Sequence, residues 1–138
     1  EFVKTFATQV VSKFQPKQLE DLVREVFENA GYEFERSNHF DRQGGDADLI
    51  FKRGMPLLGD VLVFVQVKHK NGEDPEGVVG VQQLIKISEG QPGSLRILVT
   101  TADDVPEDAK VLAQESGVVM VIGRDAVEML MSGVPLLG

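Results

Sequence analysis

The sequence predicts one α/β domain with a mixed central sheet and helices on both sides. Three apolar segments between residues 32 and 68 follow one another through short polar connections, and two later apolar segments alternate with helical patterns. Strands joined by short turns are antiparallel neighbours, whereas strands separated by a helix usually join by parallel crossovers. The 138 residues suffice for one such domain with its own core.

Two amphipathic helices are predicted at the start of the chain. Apolar residues at spacings of three and four mark residues 2–14 and, more strongly, residues 16–30. Pro16 suits the first turn of the second helix, and Gly31 suits the left-handed position after its end. We assign residues 1–15 to an N-terminal helix and linker, and residues 16–138 to the main domain. Because the chain does not begin with Met, we expect a domain excised from a longer protein.

The remaining elements follow from apolar runs and from the Gly, Pro and polar residues between them. Strands are predicted over residues 32–36, 46–52, 61–68, 95–101 and 118–122. Helices are predicted over 78–88, 105–115 and 124–131, with a polar loop over 37–45 and a hairpin connection over 53–60. Asp103 or Asp104 is the expected cap of the 105–115 helix. The 61–68 strand is apolar on both faces, so it should be central.

Composition excludes several classes of protein. The chain has no cysteine, which excludes disulfides, thiolate catalysis and cysteine-based zinc sites. No apolar run approaches the roughly 20 residues of a membrane helix, so we expect a cytoplasmic protein without a membrane partner. The net charge of −8 argues against nucleic acid, but residues 41–70 carry a net charge of +1 and residues 71–138 a net charge of −7.

Polar side chains gather at the ends of two neighbouring predicted strands. Asp46 and Asp48 open one strand and share a face, and Gln66 and Lys68 share a face near the end of the next. If those faces coincide, Asp48, Gln66 and the backbone carbonyl of Val67 can hold Mg²⁺, which prefers oxygen ligands. Lys68 would then orient the attacking water. Asp46 is the alternative ligand to Asp48, and a surface ion pair is the alternative interpretation of the whole set.

These residues resemble the PD-(D/E)XK nuclease superfamily in its variant with Gln at the second acidic position. More narrowly, the chain resembles the catalytic domain of Mrr-type restriction endonucleases over roughly residues 15–132. The segments that carry the resemblance are Gln18–Val23 with Ala30–Tyr32, Gly45–Ile50, Val65–Lys68, and Leu98–Thr101 with the helix, strand and helix that follow. The sequence departs from the family pattern at Leu49, where a Gly is usual, and in the neutral Gln66.

The resemblance implies a restriction-endonuclease-like three-layer sandwich, with an α-βββ-α-β core and a further α-β-α. It implies a Mg²⁺-dependent endodeoxyribonuclease of the restriction, defence or DNA-processing type, in which Mn²⁺ can substitute and the products carry 5′-phosphates. Asp48 and Gln66 match the metal ligands, and Lys68 matches the catalytic lysine. Glu20 is similar to an acid that faces the site in many members of the superfamily, and a solvated acid on the first helix is the alternative interpretation.

DNA is the partner that the resemblance implies. Gln83 matches a polar residue that lines the pocket, and Arg42 and Lys70 are further candidates for DNA contact. Because cutting both strands needs two sites, the apolar face of residues 2–14 is the candidate contact of a homodimer, and packing of that face onto its own domain is the alternative. Fused targeting or motor domains are also expected in the full-length protein.

Two other functions compete with the nuclease. The acidic surface and the neutral Gln66 favour a nuclease-fold module that is catalytically weak or inactive and serves DNA binding or assembly. A receiver or nucleotide-binding domain ranks below both, because no Walker-type Gly-Lys-Ser/Thr and no Gly-x-Gly-x-x-Gly follows a predicted strand.

Overall fold

A computed structural model of the chain describes residues 15–40, 46–57, 59–69, 77–91 and 93–132. These ranges contain, in order, α1 (Pro16–Asn29), β1 (Glu33–Phe40), β2 (Asp46–Met55), β3 (Gly59–Lys68), α2 (Gly77–Ile87), β4 (Leu95–Thr100), α3 (Glu107–Ser116), β5 (Val118–Ile122) and α4 (Arg124–Ser132). The helix predicted over residues 2–14 lies outside the described residues. None of the helices in the described ranges is long and apolar enough to cross a membrane.

The five strands form one sheet in the order β1-β2-β3-β4-β5. β1, β2 and β3 pair antiparallel, whereas β3, β4 and β5 pair parallel. The predicted mixed sheet and the central place of β3 are therefore confirmed. In this topology the amino end of β2 meets the carboxyl ends of β3 and β4 at one edge of the sheet. Asp48 and Lys68, which are far apart along the hairpin, consequently lie at the same edge.

Each face of the sheet buries a core of its own. The aromatic core lies under α1 and α4, where the Phe27 ring stacks on Phe51 at 5.1 Å between centroids and meets Tyr32 edge-on at 5.2 Å. The α2 core lies on the opposite face, where Ile50, Phe64, Leu98 and their neighbours pack against Val81, Leu84 and Ile87 of α2. These two cores make the three layers that were predicted.

Three strands are longer than the sequence pattern indicates. β1 continues to Phe40, through the stretch predicted as loop, β2 continues to Met55, and β3 begins at Gly59, before its predicted start at residue 61. The reason is pairing: Ser37 lies opposite Leu49 and His39 lies opposite Ala47. Backbone ladder bonds form whatever the polarity of the side chains, so a polar stretch next to a well-defined strand becomes a strand as well.

The start of α3 also differs from the prediction. The helix begins at Glu107 with Pro106 as its N-cap residue, and neither Asp103 nor Asp104 caps it. Asp104 instead accepts a hydrogen bond from the Val105 backbone N–H at 2.9 Å and pairs with Lys110 Nζ at 2.8 Å. The acid is thus held by the residue that follows it and by a lysine of the helix, which removes it from the cap position.

Candidate active site

The carboxylate of Asp48 ties β2 to β3 where their regular pairing stops. The last paired residues at this end are Leu49 and Val65. One residue further, Asp48 Oδ2 accepts a hydrogen bond from the Val67 backbone N–H at 2.6 Å. Ala47 packs in the α2 core and Leu49 in the aromatic core, so regular alternation along β2 breaks at Asp48. This break, rather than simple alternation, sets the position of the carboxylate.

Gln66 is a buried polar side chain whose oxygen lacks a hydrogen-bond partner among the described residues. It is 1% exposed, and its Nε2 donates to Gln83 Oε1 at 2.8 Å. Its Oε1 is buried and has no hydrogen-bond partner among the residues that the structure describes. Buried polar atoms are almost always paired, since an unpaired one costs about 1–3 kcal/mol. The unpaired Oε1 of Gln66, at this edge of the sheet, is therefore the feature that a function of the site has to explain.

Gly80 of α2 lies directly over this oxygen. A Cβ built at Gly80 would stand 2.7 Å from Gln66 Oε1 and 3.5 Å from Lys68 Cε. Gln66 and Lys68 therefore share a face, as strand alternation predicts. Gly80 is not among the site residues predicted from the sequence, although a glycine inside a predicted helix is disfavoured, and that signal could have indicated it.

Lys68 is partly buried and is the last residue of β3, where it pairs with Thr100 of β4. Its backbone oxygen accepts from Thr101 N at 3.1 Å, which extends the parallel ladder by one bond. Beside it, His69 Nδ1 and Thr101 Oγ1 are hydrogen-bonded at 2.9 Å. The carboxyl ends of β3 and β4 are thus fixed to each other at the position of the lysine.

The other predicted site residues differ in how the structure places them. Glu20 is partly buried in α1, and its neighbour Leu19 is buried with Val127 in a small cluster against which Val67 packs. The start of α1 therefore lies near the site end of β3. Gln83 contacts Gln66. The side chain of Asp46 lies outside the described part of the structure. The predicted DNA contacts Arg42 and Lys70 also lie outside it.

The residues present fit a divalent cation. Among the described residues no group of three or more His, Asp or Glu side chains converges, so the fit depends on other oxygens. Asp48 offers a carboxylate, Gln66 an oxygen without a partner, and Val67 a backbone carbonyl. Hard cations such as Mg²⁺ take such oxygen ligands and leave further positions to water and phosphate.

Comparisons with known proteins bear on the family and the fold of this chain. Residues 11–130 match the family model Mrr_cat, described as restriction endonuclease. Among solved structures, the fold is similar to that of the MspJI restriction endonuclease in complex with a 27-mer oligonucleotide, at 22% identity and a TM-score of 0.56, over 98% of this chain and 36% of that one. It is also similar to a protein of unknown function, AF1548, at 17% identity and a TM-score of 0.59, over 83% of this chain and 64% of that one.

The chain spans about a third of the MspJI chain and less than two thirds of AF1548. At these identities the likeness shows the fold, and it confirms the restriction-endonuclease-like architecture. No curated protein matches the sequence closely enough to count as a relative.

Proposed function

We propose that this chain, which belongs to the Mrr_cat restriction endonuclease family, is the catalytic domain of a Mg²⁺-dependent endodeoxyribonuclease. The family supports a nuclease in general, and its members generally use divalent metal ions. The observation that carries the finer proposal is the buried, unpartnered Oε1 of Gln66, at the same sheet edge as Asp48 and Lys68. The alternative interpretation, a surface ion pair, assigns no partner to this oxygen.

Asp48, Gln66 and the carbonyl of Val67 would hold the cation. When bound, it supplies Lewis acidity toward the phosphodiester. Asp48 contributes the negative charge of the ligand set, and the Val67 N–H orients its carboxylate. Gln66 contributes a neutral oxygen, so the set carries one negative charge where two carboxylates would carry two.

Lys68 is proposed as the residue that acts on the reacting atoms. Its ammonium offsets the negative charge that develops on the phosphorane-like transition state, and it orients the attacking water. Its aliphatic stem lies under Gly80, with Cε 3.5 Å from the position of a Cβ there. Contact along the stem restricts the ammonium to the site end of β3. Glu20, on the helix that packs near Val67, is proposed as an additional acid of the site.

DNA is the proposed substrate, and the MspJI structure holds an oligonucleotide. Arg42, Lys70 and Gln83 remain candidates for DNA contact. Since the chain spans only part of the MspJI length, fused targeting or motor domains are part of the proposal. A homodimer is the proposed arrangement for cutting both strands.

The test is nicking of supercoiled plasmid with Mg²⁺ or Mn²⁺, with a chelator as the blank. Lys68→Ala should lower the nicking rate by at least about 100-fold, because it removes a preorganised charge from the transition state. Lys86→Ala is the matched control, since Lys86 is exposed near the end of α2, and it should retain activity. Absence of nicking by the parent with either metal, or equal nicking by Lys68→Ala, would contradict the proposal.

The alternative is an inactive module for DNA binding or assembly. The neutral Gln66 and the single carboxylate of the ligand set favour it. Titration with Mn²⁺ separates the two functions. A nuclease centre predicts binding by the parent that is weakened in both Asp48→Ala and Gln66→Ala, whereas the inactive module predicts that neither substitution changes binding.

A further inference from the structure

We infer that Gly80 is a positioning residue of the site: its missing side chain lets α2 close over Gln66 and Lys68 and hold both in place. The part of this inference that concerns the metal rests on the proposed function. The part that concerns the Gln66 carboxamide stands on the contacts alone.

The close approach is specific to this glycine. An added Cβ would stand 2.7 Å from Gln66 Oε1, a separation that side-chain carbons do not adopt, and 3.5 Å from both Lys68 Cε and Leu98 Cδ1. The contact at 3.5 Å is ordinary packing, whereas the contact at 2.7 Å requires the carboxamide to move. A methyl group at residue 80 would therefore displace the predicted metal ligand before anything else.

Backbone conformation does not explain the glycine. Several glycines in the described part of the chain have positive φ, among them Gly31, Gly117 and Gly123, but Gly80 does not. It lies inside α2, where glycine is less favourable than alanine because it loses more backbone freedom on folding. Residue 80 has to be a glycine because the side chain of Gln66 occupies the space that a Cβ would need.

Gln83 holds the other end of the Gln66 carboxamide. It lies three residues after Gly80, on the same side of the helix, and its Oε1 accepts the hydrogen bond from Gln66 Nε2 at 2.8 Å. The nitrogen end of the carboxamide is thus fixed by Gln83, and the oxygen end is covered by the backbone of Gly80. This pair makes Oε1, rather than Nε2, the atom that remains without a partner.

The test compares Gly80→Ala with Gly77→Ala, the same change three residues earlier on α2. A Cβ at Gly77 would meet Ala109 and Val105 at 3.3 Å, and its nearest atoms belong to neither Gln66 nor Lys68. We expect Gly80→Ala to weaken Mn²⁺ binding, measured by calorimetry, by about tenfold or more, as a displaced ligand support does. Nicking should fall in parallel, whereas Gly77→Ala should keep the parent's Mn²⁺ affinity within about twofold.

A second measurement is independent of metal and activity. In the metal-free protein, the side-chain amide resonance of Gln66 should shift in Gly80→Ala and stay in place in Gly77→Ala. Combining Gly80→Ala with Gln66→Asn, which withdraws the carboxamide from the helix, should remove the effect: in that background the added methyl should change Mn²⁺ affinity less than about twofold. If Gly80→Ala alone does not fold, recovery of folding in the Gln66→Asn background supports the contact.

The outcomes separate this inference from the proposed function. An unmoved Gln66 resonance in Gly80→Ala overturns the positioning role, whatever the activity of the parent. Failure to fold in both backgrounds also overturns it, because the methyl would then act on something other than Gln66. If the parent neither binds Mn²⁺ nor nicks DNA, the proposed function fails, and the resonance alone decides the role of Gly80.

Discussion

The aromatic core and the α2 core differ in the polar groups that they bury. The aromatic core is formed by apolar side chains and by Tyr32, with Phe27 and Phe51 stacked at its centre. On the other face, α2 covers Gln66, and the buried Ser88 follows its last turn. Polar burial is expensive unless the groups are paired. A buried polar group on the α2 face therefore needs either a partner that stabilises the fold or a function that explains its burial.

Ser88 and Gln66 differ in whether their buried polar atoms are hydrogen-bonded. Ser88 Oγ donates to the Leu84 carbonyl at 2.8 Å and accepts from Arg96 Nε, while Arg96 also donates to the Ser116 carbonyl at 3.0 Å. This network joins the ends of α2 and α3 to the start of β4, so it is structural. Gln66 keeps an oxygen without a partner. The face that carries the candidate site thus buries an unpaired polar oxygen, which lowers the stability of the fold. The aromatic core carries no such unfavourable term from these side chains.

The largest effect on stability is expected from the aromatic core. Phe51→Ala should lower the free energy of unfolding, measured by urea denaturation, by about 3–5 kcal/mol, because it leaves a cavity among Phe27, Tyr32 and Phe34. Mn²⁺ affinity of the folded variant should not change. Met131→Ala, at a side chain 66% exposed, is the control and should stay within about 0.5 kcal/mol. A parallel loss of metal affinity in Phe51→Ala would show that the two faces are coupled.

A smaller effect of opposite sign is expected at Gln66. Gln66→Met keeps the volume and removes the unpaired oxygen, so the free energy of unfolding should rise by about 1 kcal/mol while nicking is lost. Gln83 is only partly buried, so water can replace its lost partner. Gln82→Met, on the exposed side of the same helix, is the matched control. A loss of stability in Gln66→Met would mean that the oxygen is satisfied in the folded protein.

The smallest effect is expected away from both cores, at the exposed pair of Asp104 and Lys110. The hydrogen bond from Lys110 holds the pKa of Asp104 below its ordinary value of 3.8, with a further contribution from the Val105 N–H. A lowered folded-state pKa stabilises the protein above the ordinary pKa, and that stability is lost as pH falls through the folded-state value. Lys110→Met should raise the pKa of Asp104, as measured by an NMR titration, and should leave nicking unchanged. An unmoved titration would show that the pair does not form in solution.

Local patterning was sufficient for the order of elements and for the edge at which the site lies. The alternation of short turns and helical crossovers predicted the strand directions, and the doubly apolar stretch of β3 predicted its central position. Those two results already bring Asp48 to the same edge as Gln66 and Lys68, because strand direction alone decides which ends meet. The same patterning missed the extension of β1 to Phe40, since residues 37–40 are a strand through pairing with β2 rather than through their own side-chain pattern.

The contacts that give the site its form came from packing between segments that are distant along the chain. The Gln66–Gln83 bond and the cover over Gln66 depend on how closely α2 approaches β3. The bond from Val67 N–H to Asp48 depends on where the two strands stop pairing. Periodicity records which side of an element is apolar and says nothing of the distance between elements. The residue types at this edge can therefore be read from the sequence, whereas the unpartnered oxygen of Gln66 and the close approach of Gly80 to it follow from the packed fold.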